Sequence, residues 1–284
     1  MVSPARRRDA VHFLLKRHRV SERRACQLLS QRRSRQRYQA LPPDYERRLC
    51  QRMNDLATRH PGYGYRRIGV LLRSEGFNVN RKRVERLWRL EGNRVPPRRS
   101  KASGQKAFGA AFNAAWNLPA ARPNQVWSYD FMSTRTRYGG AVRILNVVDE
   151  FTRLALGCRV ERSIGTADVI AELEQLFERH GTPQVLRSDN GREFVSASLQ
   201  SWLAARGVQT AYIEKGRPQQ NAYVERFNGT MRDEKLHGEE FDSVLEARAV
   251  LQEWVEEYNQ RRPHRGLRMM TPHHFAESWK AGAK

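Results

Sequence analysis

The chain has 284 residues, with 52 Lys and Arg against 30 Asp and Glu, and its net charge of +22 points to a polyanionic partner. Of that charge +19 lies in residues 1–100, so the basic part is expected to grip phosphate and the balanced remainder to do something else. Cys26, Cys50 and Cys158 are odd in number and far apart, which argues against a disulfide framework or a zinc ribbon. No apolar run is long enough to span a membrane and the start lacks an apolar signal core, so a cytoplasmic protein without a membrane partner is expected.

In chain order, Ser3-Pro4 reads as a helix start, followed by Val11, Leu14 and Leu15 on one face. Val20-Ser21-Glu22 restarts a helix with Ala25, Cys26, Leu28 and Leu29 as its apolar positions, and a basic stretch follows from Arg32 to Tyr38. Short helix, turn, short helix and basic helix is a helix-turn-helix pattern, set over residues 1–40. The bland alternative is a solvated basic arm, which the apolar spacing disfavours. A second all-α unit, 41–92, opens at Leu41-Pro42-Pro43-Asp44 and continues with Tyr45, Leu49, Met53 and Leu56. It breaks at His60-Pro61-Gly62-Tyr63-Gly64, resumes with Ile68, Leu71 and Leu72, and ends on a helix capped by Asn80. On that last helix Val84, Leu87 and Trp88 face inward, whereas Arg81, Lys82, Arg83, Arg86 and Arg89 form either a solvated face or a groove and phosphate contact. Residues 93–122, with Pro96-Pro97 and little periodicity, read as a linker.

The composition changes near Asn124, and residues 123–284 read as an α/β unit. Strands are expected over 126–132, 141–148 and 154–160, the first two separated by Gly139-Gly140. A helix over 166–180 ends at Gly181, a fourth strand covers 184–188, a helix 197–205, and a fifth strand 208–213. Helices follow over 220–236 and from Ser243, whose pairing with Glu246 has the form of a capping box.

Three carboxylates stand out. Asp130 lies inside an apolar strand, where burial is costly unless a cation offsets it, although a half-exposed face is the bland reading. Asp189 closes the fourth strand before Asn190-Gly191, which alone reads as a turn; Glu225 lies in a polar helical run, where exposure is the default. If the first and fourth strands are neighbours, all three meet at one edge of the sheet. Like charges there demand cations, and oxygen ligands favour Mg²⁺ or Mn²⁺, two ions being able to activate an attacking oxygen and stabilise a leaving one. No Walker loop, nucleophile elbow or HExxH motif competes, so no further cofactor is expected. His264, beside Arg262, Pro263 and Arg265, reads as part of a DNA-facing tail together with Arg262, in preference to a metal ligand.

Thirty-five residues separate Asp189 from Glu225. The neighbouring words are Trp127-Ser128-Tyr129-Asp130, Arg187-Ser188-Asp189-Asn190-Gly191-Arg192-Glu193-Phe194 and Pro218-Gln219-Gln220-Asn221-Ala222-Tyr223-Val224-Glu225-Arg226-Phe227-Asn228-Gly229. Tyr258-Asn259-Gln260-Arg261-Arg262-Pro263-His264, Thr271-Pro272 and His60-Pro61-Gly62-Tyr63-Gly64-Tyr65-Arg66-Arg67-Ile68 complete the set. In these words, across nearly the whole chain, the sequence resembles the OrfB-type transposases of the insertion-sequence-3 family, within the D,D(35)E superfamily that includes retroviral integrases. Where many members carry Pro, this chain has Arg192, which can contact phosphate.

The resemblance implies a ribonuclease-H-like core, a five-stranded mixed sheet flanked by helices, with Asp130, Asp189 and Glu225 as catalytic and metal-binding residues. It implies a DNA-contacting cation at Arg232, seven residues after the glutamate and so on its helical face, with Asn221 one turn before Glu225. Arg226, Arg66 and Arg67 lie in its motifs and are expected at DNA too. Its partners would be double-stranded DNA (the element's inverted repeats and the target), further copies of the chain, and a segment fused from an upstream reading frame; its place would be the bacterial nucleoid. A DNA-binding regulator without chemistry, and a nuclease that cuts without joining, are the alternatives.

Overall fold

The computed structural model describes residues 4–37, 43–95, 120–213 and 218–282. The Leu41-Pro42 opening of the second unit, the Tyr38 end of the third basic stretch and most of the expected linker lie outside the described residues. Two compact units divide the chain at Gln51 and Arg52. No described helix is long and apolar enough to cross a membrane.

In residues 1–51, α1 (Pro4–His18), α2 (Glu22–Leu28) and α3 (Arg33–Gln36) form in the expected order. Ser21 caps α2 by accepting the Arg24 amide, and Val11, Ala25 and Cys26 make a small core ringed by Leu14, Leu15, Val20 and Leu29. α4 (Pro43–Arg59) contains the division. Within residues 52–95, α5 (Tyr65–Ser74) and α6 (Arg81–Leu90) pack closely: a side chain at Gly69 would stand 3.6 Å from both methyls of Val84. Asn80 caps α6, its side chain accepting the Arg83 amide at 2.8 Å, so the cap read from the sequence is present.

The sheet forms from β1 (Val126–Arg135), β2 (Ala141–Asp149), β3 (Ala155–Glu161), β4 (Val185–Ser188) and β5 (Gln209–Tyr212). Its order is β3-β2-β1-β4-β5: the first three strands are antiparallel, and β4 and β5 join parallel to β1. With helices on both faces this is the expected ribonuclease-H-like arrangement. Side chains alternate along each strand, so each face carries its own core. On one, Trp127, Tyr129, Leu145, Val147 and Leu186 meet α7 (Thr166–His180) and α8 (Ala197–Ala204) through Val169, Leu173, Leu176, Leu199 and Leu203. On the other, Met132, Ile144, Val148 and Val160 meet α9 (Ala222–Met231) and α10 (Val244–Gln260) through Val224, Phe227, Met231, Leu251 and Trp254.

Local chemistry explains the element ends. Gly181, at φ 88°, stops α7 and returns its amide to the Phe177 carbonyl. Ser243 accepts the Glu246 amide, while the Glu246 carboxylate accepts that of Asp242, one residue earlier than a strict capping box. The helix expected over 220–236 is interrupted at both ends. A 3-10 turn, Pro218–Asn221, precedes α9, and a π-helical turn, Arg232–Leu236, follows it. A last helix, α11 (Pro272–Gly282), covers the end of the tail and carries Phe275 and Trp279 against Phe151.

Candidate active site

β1 and β4 run parallel with Ser128 level with Arg187, so continuing the register sets Asp130 level with Asp189. Here the strand order switches direction, with β2 on one side of β1 and β4 on the other, which is where open α/β sheets gather ligands. Asp130 shares its sheet face with Ser128 and Met132, the face that α9 covers, and α9 carries Glu225. Asp130 and Asp189 are half-buried, whereas Glu225 is exposed. The carboxylate of Asp189 folds back to accept the Gly191 amide at 2.9 Å, so the turn reading of Asp-Asn-Gly is also present.

Two polar ties hold this corner. Asn228, one helical turn beyond Glu225, donates to Asp130 Oδ2 at 2.9 Å, and the Phe131 amide donates to Oδ1 at 2.8 Å. Asn146 lies directly across from Asp130 on β2, is fully buried, and donates to Asn228 Oδ1 at 2.7 Å. The chain Asn146–Asn228–Asp130 thus fastens the helix of Glu225 to the strand of Asp130. The second tie is beneath both aspartates. Glu150, just beyond β2, is fully buried, accepts the Ser128 hydroxyl, and pairs with Arg187 at 2.9 Å through both carboxylate oxygens. Ser128 and Arg187 each stand two residues before an aspartate, so Glu150 locks the two strands at the level that presents the acids. Sequence reasoning singled out none of Asn146, Asn228, Glu150 and Arg187 by role. The only available signal was the one-turn spacing of Asn228 from Glu225.

Burial, then the charge of Asp189 and more weakly that of Glu225, pushes the Asp130 carboxyl up from 3.8 to about 6, against the hydrogen bonds of Phe131 and Asn228. Three hard oxygen donors whose mutual repulsion is already felt at Asp130 fit a divalent cation of the Mg²⁺ or Mn²⁺ type. Among the described residues, no three His, Cys, Asp or Glu side chains are gathered tightly enough to hold an ion by themselves. The raised value also has a thermodynamic sign. The folded protein holds the Asp130 proton over a window, from about pH 4 to 6, in which the unfolded chain has released it, so the carboxylate penalises the fold increasingly as pH rises through that window. In chelator, the stability difference between Asp130→Asn and the native chain should therefore move in the variant's favour from pH 4 to pH 7. After allowance for solvent screening the change is about 1–2 kcal/mol. Urea titrations at the two pH values measure it, and a difference that stays flat would remove the strain at Asp130.

The residues expected at DNA divide. Arg66, Arg81, Lys82, Arg86, Arg226 and Arg232 are exposed, and Arg67 and Arg83 are half-buried. Arg232 follows Glu225 by seven residues along α9 and its continuation. Asn221, by contrast, is 2% exposed and donates to the Tyr129 carbonyl, because the 3-10 turn takes it off the exposed face that Glu225 occupies. Arg262 is buried and binds Glu234 through three hydrogen bonds, the shortest 2.6 Å. His264 is pushed down to about 3 by burial and by Arg262, Arg67 and Arg153, so it is neutral at physiological pH. The tail that reads as DNA-facing in sequence therefore turns Arg262 and His264 inward.

Comparison with known proteins agrees with this architecture. The HTH-like domain family matches residues 44–101, and two descriptions of the integrase core domain match 120–218 and 206–272. The chain is 38% identical to the insertion element IS407 31.7 kDa protein of Burkholderia multivorans, over 93% of each chain. It is 36% identical to the IS476 39.2 kDa protein of Xanthomonas euvesicatoria, over 98% of this chain and 79% of that one. The transposase of IS629 from Shigella sonnei is 30% identical over 77% of this chain and 74% of its own. With an integrase core behind an HTH-like domain and such relatives along most of its length, the chain belongs to the OrfB-type transposases of the insertion-sequence-3 family.

Proposed function

We propose that Asp130, Asp189 and Glu225 are the acids with which this transposase cuts and joins DNA. What supports the reading is the level placement of Asp130 and Asp189 at the β1–β4 switch point, with the charge of Asp189 and, more weakly, that of Glu225 raising the Asp130 carboxyl. The three would hold two Mg²⁺ or Mn²⁺ ions, which when bound activate the attacking oxygen and stabilise the leaving one. In the first step water attacks a phosphodiester at the element's end and the 3′-oxygen leaves as a free hydroxyl. In the second that hydroxyl attacks a target phosphodiester, and the target's own 3′-oxygen leaves. Neither step needs a covalent link to the protein.

The chain's residues supply placement. Asn228 and the Phe131 amide fix the direction of the Asp130 carboxylate, and the Asp189 turn fixes the other. Exposed Glu225 completes the set as DNA enters, and Arg232 and Arg226 on the same helical stretch meet its phosphates. Arg66, Arg81, Lys82, Arg83 and Arg86 hold the inverted repeat, while half-buried Arg67 faces Glu234 and Tyr63; residues 1–40 add a further basic helical segment, 41–92 the second DNA-binding unit, 93–122 the linker, and 123–284 the catalytic core. Several copies of the chain, with a segment fused from an upstream frame, assemble on the two ends in the cytoplasm at the nucleoid.

The test incubates the chain with Mg²⁺ and DNA carrying the flanking inverted repeats, with products resolved on a denaturing gel. A 3′-end cut followed by a joined strand is expected. Binding without any cut would make the protein a regulator, and cutting without joining would make it a nuclease.

A further inference from the structure

The turn before α5 enters an ionic and aromatic cluster formed by the C-terminal part of the core. Tyr63 is buried; its ring lies 5.1 Å from the Arg67 guanidinium and 5.8 Å from that of Arg262, and stacks on His60 at 4.6 Å. From the core, Glu234 lies in the π-helical turn after α9, its carboxylate 2.6 Å from Arg262 and 3.9 Å from Arg67. Glu257 on α10 meets His60 at 3.2 Å, and the Tyr258 ring lies 5.5 Å from Arg262. A side chain added at Gly62 would stand 3.7 Å from Glu234 Cγ, so the turn's backbone itself approaches the core.

We propose that this cluster is a positioning clamp: Glu234, Arg262 and Tyr63 register the α5–α6 unit on its own catalytic core, so that where α6 grips DNA decides which phosphodiester reaches Asp130. The inference rests on the transposase reading for its consequence, though not for its geometry. A carboxylate shared by two arginines and closed by aromatic rings is stiff, because leaving any member unpaired in so buried a place is costly. Glu234 also stands two residues after Arg232 on the turn that continues from the Glu225 helix. The clamp therefore joins the DNA-reading unit to the helix of the third acid by a path of a few residues, while the covalent link between the units runs through the 93–122 segment. A displacement of about 1 Å at a reacting centre can cost about 100-fold in rate, so such a registration is worth keeping rigid.

The experiment uses the full chain and two variants, Glu234→Gln and Tyr63→Ala, one from each side of the clamp. Spin labels at Leu90→Cys and Tyr138→Cys, both exposed positions, report the spread of distances between α6 and the sheet in a chain lacking its native cysteines. Both variants should broaden that distribution. With Mg²⁺ and an inverted-repeat substrate, both should lose about 10–100-fold in cleavage at the correct end and scatter the cut over neighbouring positions. Nicking of plasmid DNA without repeats, in Mn²⁺, should fall by less than about threefold. An unbroadened distribution in both variants overturns the clamp whatever the activity does. So does a parallel loss of nicking and end cleavage with no scatter, which is the mark of a damaged fold. If the native chain neither cuts nor nicks but its distances broaden in the variants, the transposase reading fails and the clamp stands as geometry.

Discussion

Asp130→Asn, Asp189→Asn and Glu225→Gln are each expected to lower end cleavage and joining by about 1000-fold or more while leaving binding of the inverted repeat within about threefold. On the proposed reading the three carboxylates act as one unit. Each neutralisation would then remove one ligand of the same metal pair, so the double variants should be scarcely worse than the single ones. Binding is spared because phosphate contacts come from cations elsewhere, most of the +22 charge lying before residue 101. The measurement is a time course of cleavage and of joining with each variant, beside a binding titration at fixed salt. Strand transfer within tenfold of native by any of the three would take that residue out of the site.

Glu150→Ala should cost about 3–5 kcal/mol of stability, as breaking a buried ion pair does. The Glu150 side chain is 0% exposed and that of Arg187 9%, so removing the carboxylate takes a charge partner and two hydrogen bonds from a buried guanidinium between β1 and β4. Burial pushes the Glu150 carboxyl up, against the pull of Arg187, the Ser128 hydroxyl and Arg153. The paired variant Glu150→Leu with Arg187→Met should recover most of the stability, because an apolar pair of similar volume carries no desolvation penalty. Its cleavage rate should stay low even where it is fully folded, since the strands would lose the tie that levels Asp130 with Asp189. Urea titrations of the three proteins decide the first claim: a loss under about 1 kcal/mol for Glu150→Ala would mean that Arg187 finds water or another partner.

The sequence by itself determined the order and kind of nearly every element, because periodicity and capping are local properties. The Asn80 cap, the Gly181 stop and the strand, helix, strand alternation after Asn124 could be read directly from it. The fold class and the family were legible for the same reason, through words such as Arg187-Ser188-Asp189-Asn190-Gly191 that stand contiguous in the chain. The tertiary structure decided what depends on distant partners. Asn228 and Asp130 are 98 residues apart, Asn146 and Asn228 82, and Glu150 and Arg187 37, and each pair meets only because the sheet order and α9 bring them together. Arg262 and His264 look like a basic tail until Glu234, 28 residues before Arg262, and the neighbouring rings are folded around them. Charge and spacing along a chain say what a residue can bind; burial and the geometry of its neighbours decide whether that partner is a nucleic acid or the protein itself.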